Sequence, residues 1–451
     1  MADPTLARAL KDLAARGVVV GPRENMYNGQ HPQPAGTLAW RKAYGSLYAG
    51  VIDNQTALVC NQRAGAVRPA NFVAADDTDA LAVVEAQGVS DLLDEQGATV
   101  DDVLRTAFWS GEQTSVIVDF DDAGRVVWYL TDPRTCWVDV DKAGGYRSAV
   151  HVWQEPGQRM HATVYTPKTV QTWRSDADSL VPSADVFRLV DEAPNRFGDI
   201  PVASVTLGRS LVDAVKAQNL MLNKSLQMAA VAGESYVSPF RAWFGIDTFD
   251  PATGEVKKLM PQLNPGTGSR DLSIPSATDE EGAARSVTQF TSPTPGVFLE
   301  EQENLRASIA RLGAVPAFML QISGQAPSGD ALEQAYLPFV AAKAADERVA
   351  RPFFDRLAAL TIRRRVYAKT GVVLTVTPLV RTVFSSVATS TVTARVQHVK
   401  TAVDAGMPLA DALVEFMGWS RDAADAVAEK AALQAQEAAA VSTRLFDAGV
   451  A

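Results

Sequence analysis

The chain has 451 residues, 47% hydrophobic and 21% charged, with a formal net charge of −10. This is the composition of a folded protein of about two or three domains, and it excludes a disordered chain. The acidic balance also argues against a protein that grips nucleic acid by neutralising phosphates, the term that supplies most non-specific affinity.

No apolar run reaches the roughly 18 residues that a membrane helix needs, and no secretory h-region opens the chain. Cys60 and Cys136 are the only cysteines. They cannot build a disulfide framework, so reduced thiols in a cytoplasmic setting are expected.

In chain order, Leu6 to Val20 mixes apolar and charged residues as a small surface helix does. Residues 40–110 read as mostly helical. Trp40, Tyr44, Leu47 and Tyr48 recur at helical spacing, and Leu81, Val84, Leu92 and Leu93 continue an amphipathic pattern. Strands follow. Thr114 to Val118 and Val126 to Leu130 flank Asp121-Asp122-Ala123-Gly124, a hairpin signal. Short strands are also expected at Cys136–Val140, Ala149–Trp153 and Thr163–Thr172, making residues 1–200 an α+β unit.

At Gly208 the period becomes helical, with Leu211, Val215, Leu222 and Leu226 on one face and Ala229 and Ala230 extending it toward Gly233. Ser238 to Pro295 is dense in Gly, Pro, Ser and Thr. Trp243, Phe244, Ile246 and Phe249 argue for a folded insertion there, because linkers seldom carry such residues. A second helix, about Phe298 to Leu312, has Glu300, Glu301 and Glu303 near its start and Arg306 and Arg311 near its end, and Gly313 with Pro316 stops it.

The polar loop Gln321-Ile322-Ser323-Gly324-Gln325-Ala326-Pro327-Ser328-Gly329 then feeds a helix running to about Thr370. Val349, Phe353, Leu357 and Leu360 form its apolar face, and Pro338 and Pro352 predict kinks. At about 1.5 Å per residue it would reach roughly 60 Å, too long for the inside of a compact globule of this size. A strand at Val372–Val376 follows, then helices near Val392–Ala405 and Leu409–Met417, and an Ala-rich tail from Arg421.

Motifs for catalysis are missing. There is no phosphate-binding glycine loop, dinucleotide fingerprint or nucleophile elbow. His31, His151, His161 and His398 show no metal-ligand spacing and read as structural. His151 and His161 fall on neighbouring expected strands, so with Asp119 they are the residues a hydrolase reading would use. Asp119 to Gly124 starts like a calcium loop but has Ala123 and Leu130 where oxygen ligands belong, and reads as a turn. Asp101-Asp102 after Thr99 reads as a helix start.

Three basic spots remain. Arg363-Arg364-Arg365 suits a helix end and reads as a solvated or inter-subunit face. Lys257 and Lys258 in the insertion either touch phosphates or solvate a strand. Arg306 and Arg311 are candidates to line a channel, with pairing to a nearby Glu the alternative for Arg306.

Several segments resemble the portal proteins of tailed bacteriophages, of the siphophage type. Tyr27-Asn28-Gly29-Gln30-His31-Pro32 is similar to a short Tyr-x-Gly motif near that family's N-terminus. Asn195-Arg196-Phe197-Gly198-Asp199-Ile200-Pro201-Val202 is similar to the Gly-x-Ile-Pro-Val segment before its first stem helix, and Ser210 to Lys216 to that helix's opening. Val315-Pro316, then Pro327-Ser328-Gly329-Asp330-Ala331-Leu332 and the long helix, resemble its tunnel loop entering a kinked wing helix.

The resemblance implies an α+β portal fold. It has an α/β wing (residues 1–208), stem helices (209–235 and 297–313), a small α/β clip (236–296) and a tunnel loop (314–328). A kinked wing helix with a wing strand (329–390) and a helical crown (391–451) complete it. It implies a dodecameric ring at one capsid vertex, with double-stranded DNA passing through its channel. Terminase large subunit and then head–tail adaptor proteins would dock there, with major capsid and scaffold proteins as neighbours.

No membrane, cofactor, metal or catalysis is implied. The location would be the virion, and the host cytoplasm during assembly. Gln321, Ser323, Gln325 and Ser328 would face the DNA. The loop has no Lys or Arg, so it is expected to act as a polar slide and not a grip. The acidic balance and the missing nucleotide site agree with a passive conduit whose wall does not trap a polyanion. The rival readings are another oligomeric virion protein without a channel, and a hydrolase.

Overall fold

The computed structural model describes residues 3–32, 50–74, 88–90, 92–93, 95–142, 144–154, 159–175, 184–237, 240–246, 262–263, 270–275, 286–290, 296–320, 329–374, 377–385, 399–404, 406–414, 421 and 424–432. They form an α+β fold. Its elements open with α1 (Pro4–Tyr27), α2 (Gln55–Ala66), β1 (Pro69–Ala74) and α3 (Gly97–Ser110). Strands follow as β2 (Thr114–Phe120), β3 (Val126–Thr131), β4 (Cys136–Val140), β5 (Tyr146–Gln154) and β6 (Met160–Tyr165). Then come β7 (Thr169–Ser175), β8 (Phe187–Pro194) and β9 (Val202–Val205). Helix α4 (Leu211–Val237) leads into β10 (Phe240–Ile246), β11 (Gln262–Leu263), β12 (Arg270–Pro275) and β13 (Ser286–Phe290). Helices α5 (Gly296–Gly313) and α6 (Gly329–Thr370), strand β14 (Val380–Phe384) and the short α7 (Leu409–Ala412) complete the order.

Strands β4 to β8 form an antiparallel meander in sequence order. Helix α1 covers one face. Asp3 caps it by accepting from the Thr5 amide at 2.6 Å, and Pro4 sits in the first turn where its missing donor costs nothing. Leu6, Ala9, Leu10 and Leu13 then recur at helical spacing and bury against Trp137, Val150, Val152, Ala162, Val164, Trp173 and Phe187. The indole of Trp137 donates to Asp12 at 2.9 Å, so the polar atom of this buried ring is satisfied. The other face of the meander offers Cys136, Val138 and Ala149 to Ile117 and Val202 of a second sheet, ordered β3-β2-β9, and to Ile200 just before β9.

Every strand pair in that second sheet is antiparallel, and the β2–β3 hairpin turns at Gly124 with φ +75°. Asp121 closes the turn, its carboxylate accepting from the Ala123 and Arg125 amides. Helices α2 and α3 and the C-terminal half of α6 build the main core on this sheet, around Val103, Phe108, Phe353, Phe354, Leu357 and Ile362. At about 1.5–3 kcal/mol per large apolar side chain removed from water, this cluster holds the body together. Gly111 ends α3 in the left-handed region, φ +68°. A Cβ there would collide with the Ser210 backbone, which lies close because the Ser210 hydroxyl donates to the Trp109 carbonyl at 2.5 Å.

The arginine run of α6 faces inward. Arg363 and Arg364 both reach Asp199, at 2.6 and 3.0 Å, and Arg363 also donates to the carbonyls of Phe197 and Leu374. Arg356 donates to the carbonyls of Ile200 and Val202 and lies 3.8 Å from the centre of the Tyr146 ring. Burial lowers the Arg356 pKa, against the pull of Tyr146 and Asp199. The segment Phe197 to Val202 is thus pinned to α6 through main-chain atoms and one carboxylate. The expected solvated face at Arg363 and Arg364 is overturned, because each side chain is under one tenth exposed.

Other expectations shift too. The opening helix runs on to Tyr27 and serves as the cover of a sheet. The run Thr163–Thr172 is parts of two strands with a turn between them. Of the strand expected at Val372–Val376, residues 372–374 are not strand and 375–376 lie outside the described residues; the strand described nearby is Val380–Phe384, where β14 pairs antiparallel with β1. Helix α6 continues through both prolines as one element. Pro338 and Pro352 lie on its exposed side, where water can satisfy the carbonyls their rings leave without donors. The described residues of the insertion are strands ordered β11-β12-β10-β13, with β10 parallel to β12. Among the described residues no helix is long and apolar enough to cross a membrane.

Candidate functional site

Helices α4 and α5 pair as a two-helix stalk. Val215, Leu222, Ile309 and Ala310 form its seam, with Val59 of α2 beneath. Two polar tie points fix the pairing. The Ser225 hydroxyl donates to Glu301 at 2.8 Å. Nearer the body, Asp53 joins both helices. Its carboxylate accepts from Arg306 at 3.0 Å, its amide donates to Asn223 at 2.8 Å, and its carbonyl accepts from Asn219 at 2.7 Å. The pairing of residue 225 with 301, and of 219–223 with 306, makes the helices antiparallel.

This junction is a polar set beside an apolar seam. Asn219 also accepts from the amide and hydroxyl of Thr56, at 2.8 and 2.7 Å, which caps the start of α2. His31 donates from Nε2 to the Met26 carbonyl at 2.9 Å, leaving Nδ1 to accept from the Asn223 amide at 2.6 Å. Buried amides are tolerated because each has partners; unpaired, each would cost about 1–3 kcal/mol. The Tyr27–Pro32 motif therefore acts here as a structural joint, with Asn54 donating to the Tyr27 carbonyl at 2.8 Å.

A second clasp lies at the base of α5. Arg63 donates to the Gly313 carbonyl at 2.8 Å and pairs with Asp346 of α6. Burial raises the Asp346 pKa, with the Arg63 charge opposing it. Ala314 follows at φ 49°, the one non-glycine residue with positive φ among the described residues.

The outer side of the stalk is open. Met221 and Met228 on α4, and Val297 (65% exposed), Leu299 (62%) and Leu312 on α5, face outward. Val297, Glu300, Glu301, Asn304 and Leu305 line an open groove of about 410 Å³ on α5.

The structure distributes the anticipated residues unevenly. Gln321, Ser323, Gln325, Ser328, Lys257 and Lys258 lie outside the described residues. Arg306 is not an open cation. Its side chain is 3% exposed and held by Asp53 and Glu303, so its charge is used inside the fold. Arg311 is exposed. His151 and His161 do sit on neighbouring strands, β5 and β6. The His161 ring stacks on Trp153, with centroids 4.5 Å apart, and burial lowers the His151 pKa to about 4. No hydrogen bond joins either to Asp119, whose carboxylate accepts from the Phe120 amide. Among the described residues no three His, Cys, Asp or Glu side chains are placed to hold a metal.

The residues that knit the stalk to the body, Asp53, Asn219 and Asn223, were not singled out by sequence. The available signal was asparagines four apart on an otherwise apolar helical face.

No family model and no curated protein matches the chain. Solved structures are similar over most of its length. A chain in the neck of an empty GTA particle is 14% identical, with 84% of this chain and 93% of that chain covered and a TM-score of 0.44. A chain in the virion of a native gene transfer agent particle is 12% identical, covering 88% and 98%, with a TM-score of 0.41. An HK97-family phage portal protein from Corynebacterium diphtheriae is 11% identical, covering 72% and 91%, with a TM-score of 0.32. None of these likenesses assigns a role to a residue.

Proposed function

We propose that the chain is a portal subunit, a structural protein whose copies close into a dodecameric ring at one capsid vertex. The axial channel passes double-stranded DNA during packaging and ejection. Terminase large subunit docks first and head–tail adaptor proteins replace it, with capsid and scaffold proteins around the ring. In this reading the protein works in the virion after assembly in the host cytoplasm, and the motor chemistry belongs to its partner.

One observation supports this most: an antiparallel stalk, α4 with α5, that is anchored in the body at Asp53 and leaves apolar side chains uncovered on its outer side. Neighbouring copies are the natural cover for such a face. The segmental resemblance to portal proteins and the net charge of −10, which suits a wall that does not trap DNA, add to it.

Electron microscopy of the purified protein tests the reading. Rings of about twelve copies are expected, and a uniform monomer at high concentration would overturn it. For the segment from Gln321 to Ser328, deletion of residues 325–328 should impair DNA packaging while leaving assembly intact. Normal packaging by normally assembled particles would remove these residues from the channel role.

A further inference from the structure

The stalk carries charges that its own fold leaves unused. Lys224 on α4 and Glu300 and Arg311 on α5 are exposed, and among the described residues none makes an ion pair. Asp213 on α4 meets Arg23 but is still 48% exposed.

Their positions are matched in height. Residue 225 lies level with residue 301, as the Ser225–Glu301 hydrogen bond requires. With the helices antiparallel and rising about 1.5 Å per residue, Lys224 sits within about 3 Å of the height of Glu300. Asp213 sits within about 3 Å of the height of Arg311, displaced in the same sense. On each helix the two charges are eleven residues apart. That is about three turns, so both lie along one face. Along these faces α4 reads base at Lys224 and acid at Asp213 nearer the body, and α5 reads acid at Glu300 and base at Arg311 nearer the body.

We infer that α4 of one copy docks against α5 of the next. Lys224 meets Glu300 of the neighbour, and Asp213 meets its Arg311. A rotation about an axis parallel to the stalk preserves height, so this one operation satisfies both pairs. Such a contact is head-to-tail, uses different surfaces on the two copies and closes into a ring. Around the charges, Met221 and Met228 face the rim of the α5 groove at Val297 and Leu305, which supplies apolar area to bury. The charges set partner and register, because a like pair facing across the contact is repelled. The inference rests on the ring reading above. It gives Arg311 a carboxylate of a second copy as its partner in place of a DNA phosphate.

Charge reversal on the full-length chain tests it. Lys224→Glu and Glu300→Lys should each raise the protein concentration needed for half-assembly at least tenfold, read by mass photometry at low salt. The double variant should return it to within about twofold of the parent. If the single reversals assemble like the parent, the contact is overturned while rings in the parent leave the portal reading standing. If the parent itself forms no ring, the portal reading fails first. Packing of α4 against α4 in a two-fold dimer would also bring Lys224 near Asp213. Rescue of Lys224→Glu by Asp213→Lys, and not by Glu300→Lys, would therefore overturn the head-to-tail arrangement. Oxidising the Lys224→Cys, Glu300→Cys variant gives an independent readout, since the native thiols Cys60 and Cys136 are buried. A ladder of trimers and larger species is expected; a product that stops at dimers contradicts the inference.

Discussion

The C-terminal half of α6 and the α4–α5 stalk are both helical and both carry charged side chains, yet they use charge in opposite ways. In α6 the guanidinium groups of Arg356, Arg363 and Arg364 turn inward onto Asp199 and five main-chain carbonyls. In the stalk only Arg306 does so; Lys224, Glu300 and Arg311 stay outside. A buried guanidinium is tolerable only where fixed acceptors replace its water, and the Phe197–Val202 segment supplies them to α6. Among the described residues no such segment bonds Lys224, Glu300 or Arg311 on the outer side of the stalk. In these two regions buried charge is structural and paired, while Lys224, Glu300 and Arg311 meet no ion-pair partner among the described residues.

Asp199→Ala should break the inner arrangement most severely. It strands Arg363 and Arg364 in the body, and a loss of about 3–5 kcal/mol is expected in denaturant unfolding. Within the stalk the contrast should appear between two arginines five residues apart. Arg306→Ala leaves Asp53 facing buried amides and should cost about 3 kcal/mol. Arg311→Ala should change stability by less than about 0.5 kcal/mol while weakening assembly. Equal losses from both would erase the distinction drawn here.

The meander offers a pH-dependent test between these extremes. Burial holds the folded-state pKa of His151 at about 4, below the ordinary 6.5. The unfolded chain therefore binds the extra proton first as pH falls. His151 contributes no penalty above about pH 6.5, and destabilises progressively down to about pH 4, by up to about 3 kcal/mol. Melting temperatures of His151→Gln should fall less over that interval than those of the parent; parallel curves would show that His151 does not titrate in this way.

Much of the fold was legible where the signal is local. Asp121 to Gly124 specified the β2–β3 turn, and the apolar spacing from Leu211 and the Glu-to-Arg gradient from Glu300 marked α4 and α5. What could not be read depends on distant partners. Arg363 and Arg364 look solvated until Asp199, more than 160 residues earlier, is brought to them. Strand β1 carries little alternation of its own and is a strand because β14 pairs with it. In α4, Asn219 and Asn223 read as breaks in an apolar face, yet they hold the stalk to the body. The channel candidates at Gln321 to Ser328 lie outside the described residues.

The pairing of β1 with β14 also sets a clock on synthesis. Pro69 is matched to Phe384 and Ala74 to Val380, so one strand waits for roughly 300 further residues to leave the ribosome. At about 5–20 residues per second that wait is roughly 15–60 s. The Asp199 and Arg63 clasps need α6 as well, so they too form late. The α1-covered meander has all its strands by Pro194 and can pack first. Between Pro194 and Phe384 the nascent chain therefore carries one finished unit and one unfinished body, and a ribosome stall before residue 380 would leave β1 as an unpaired edge.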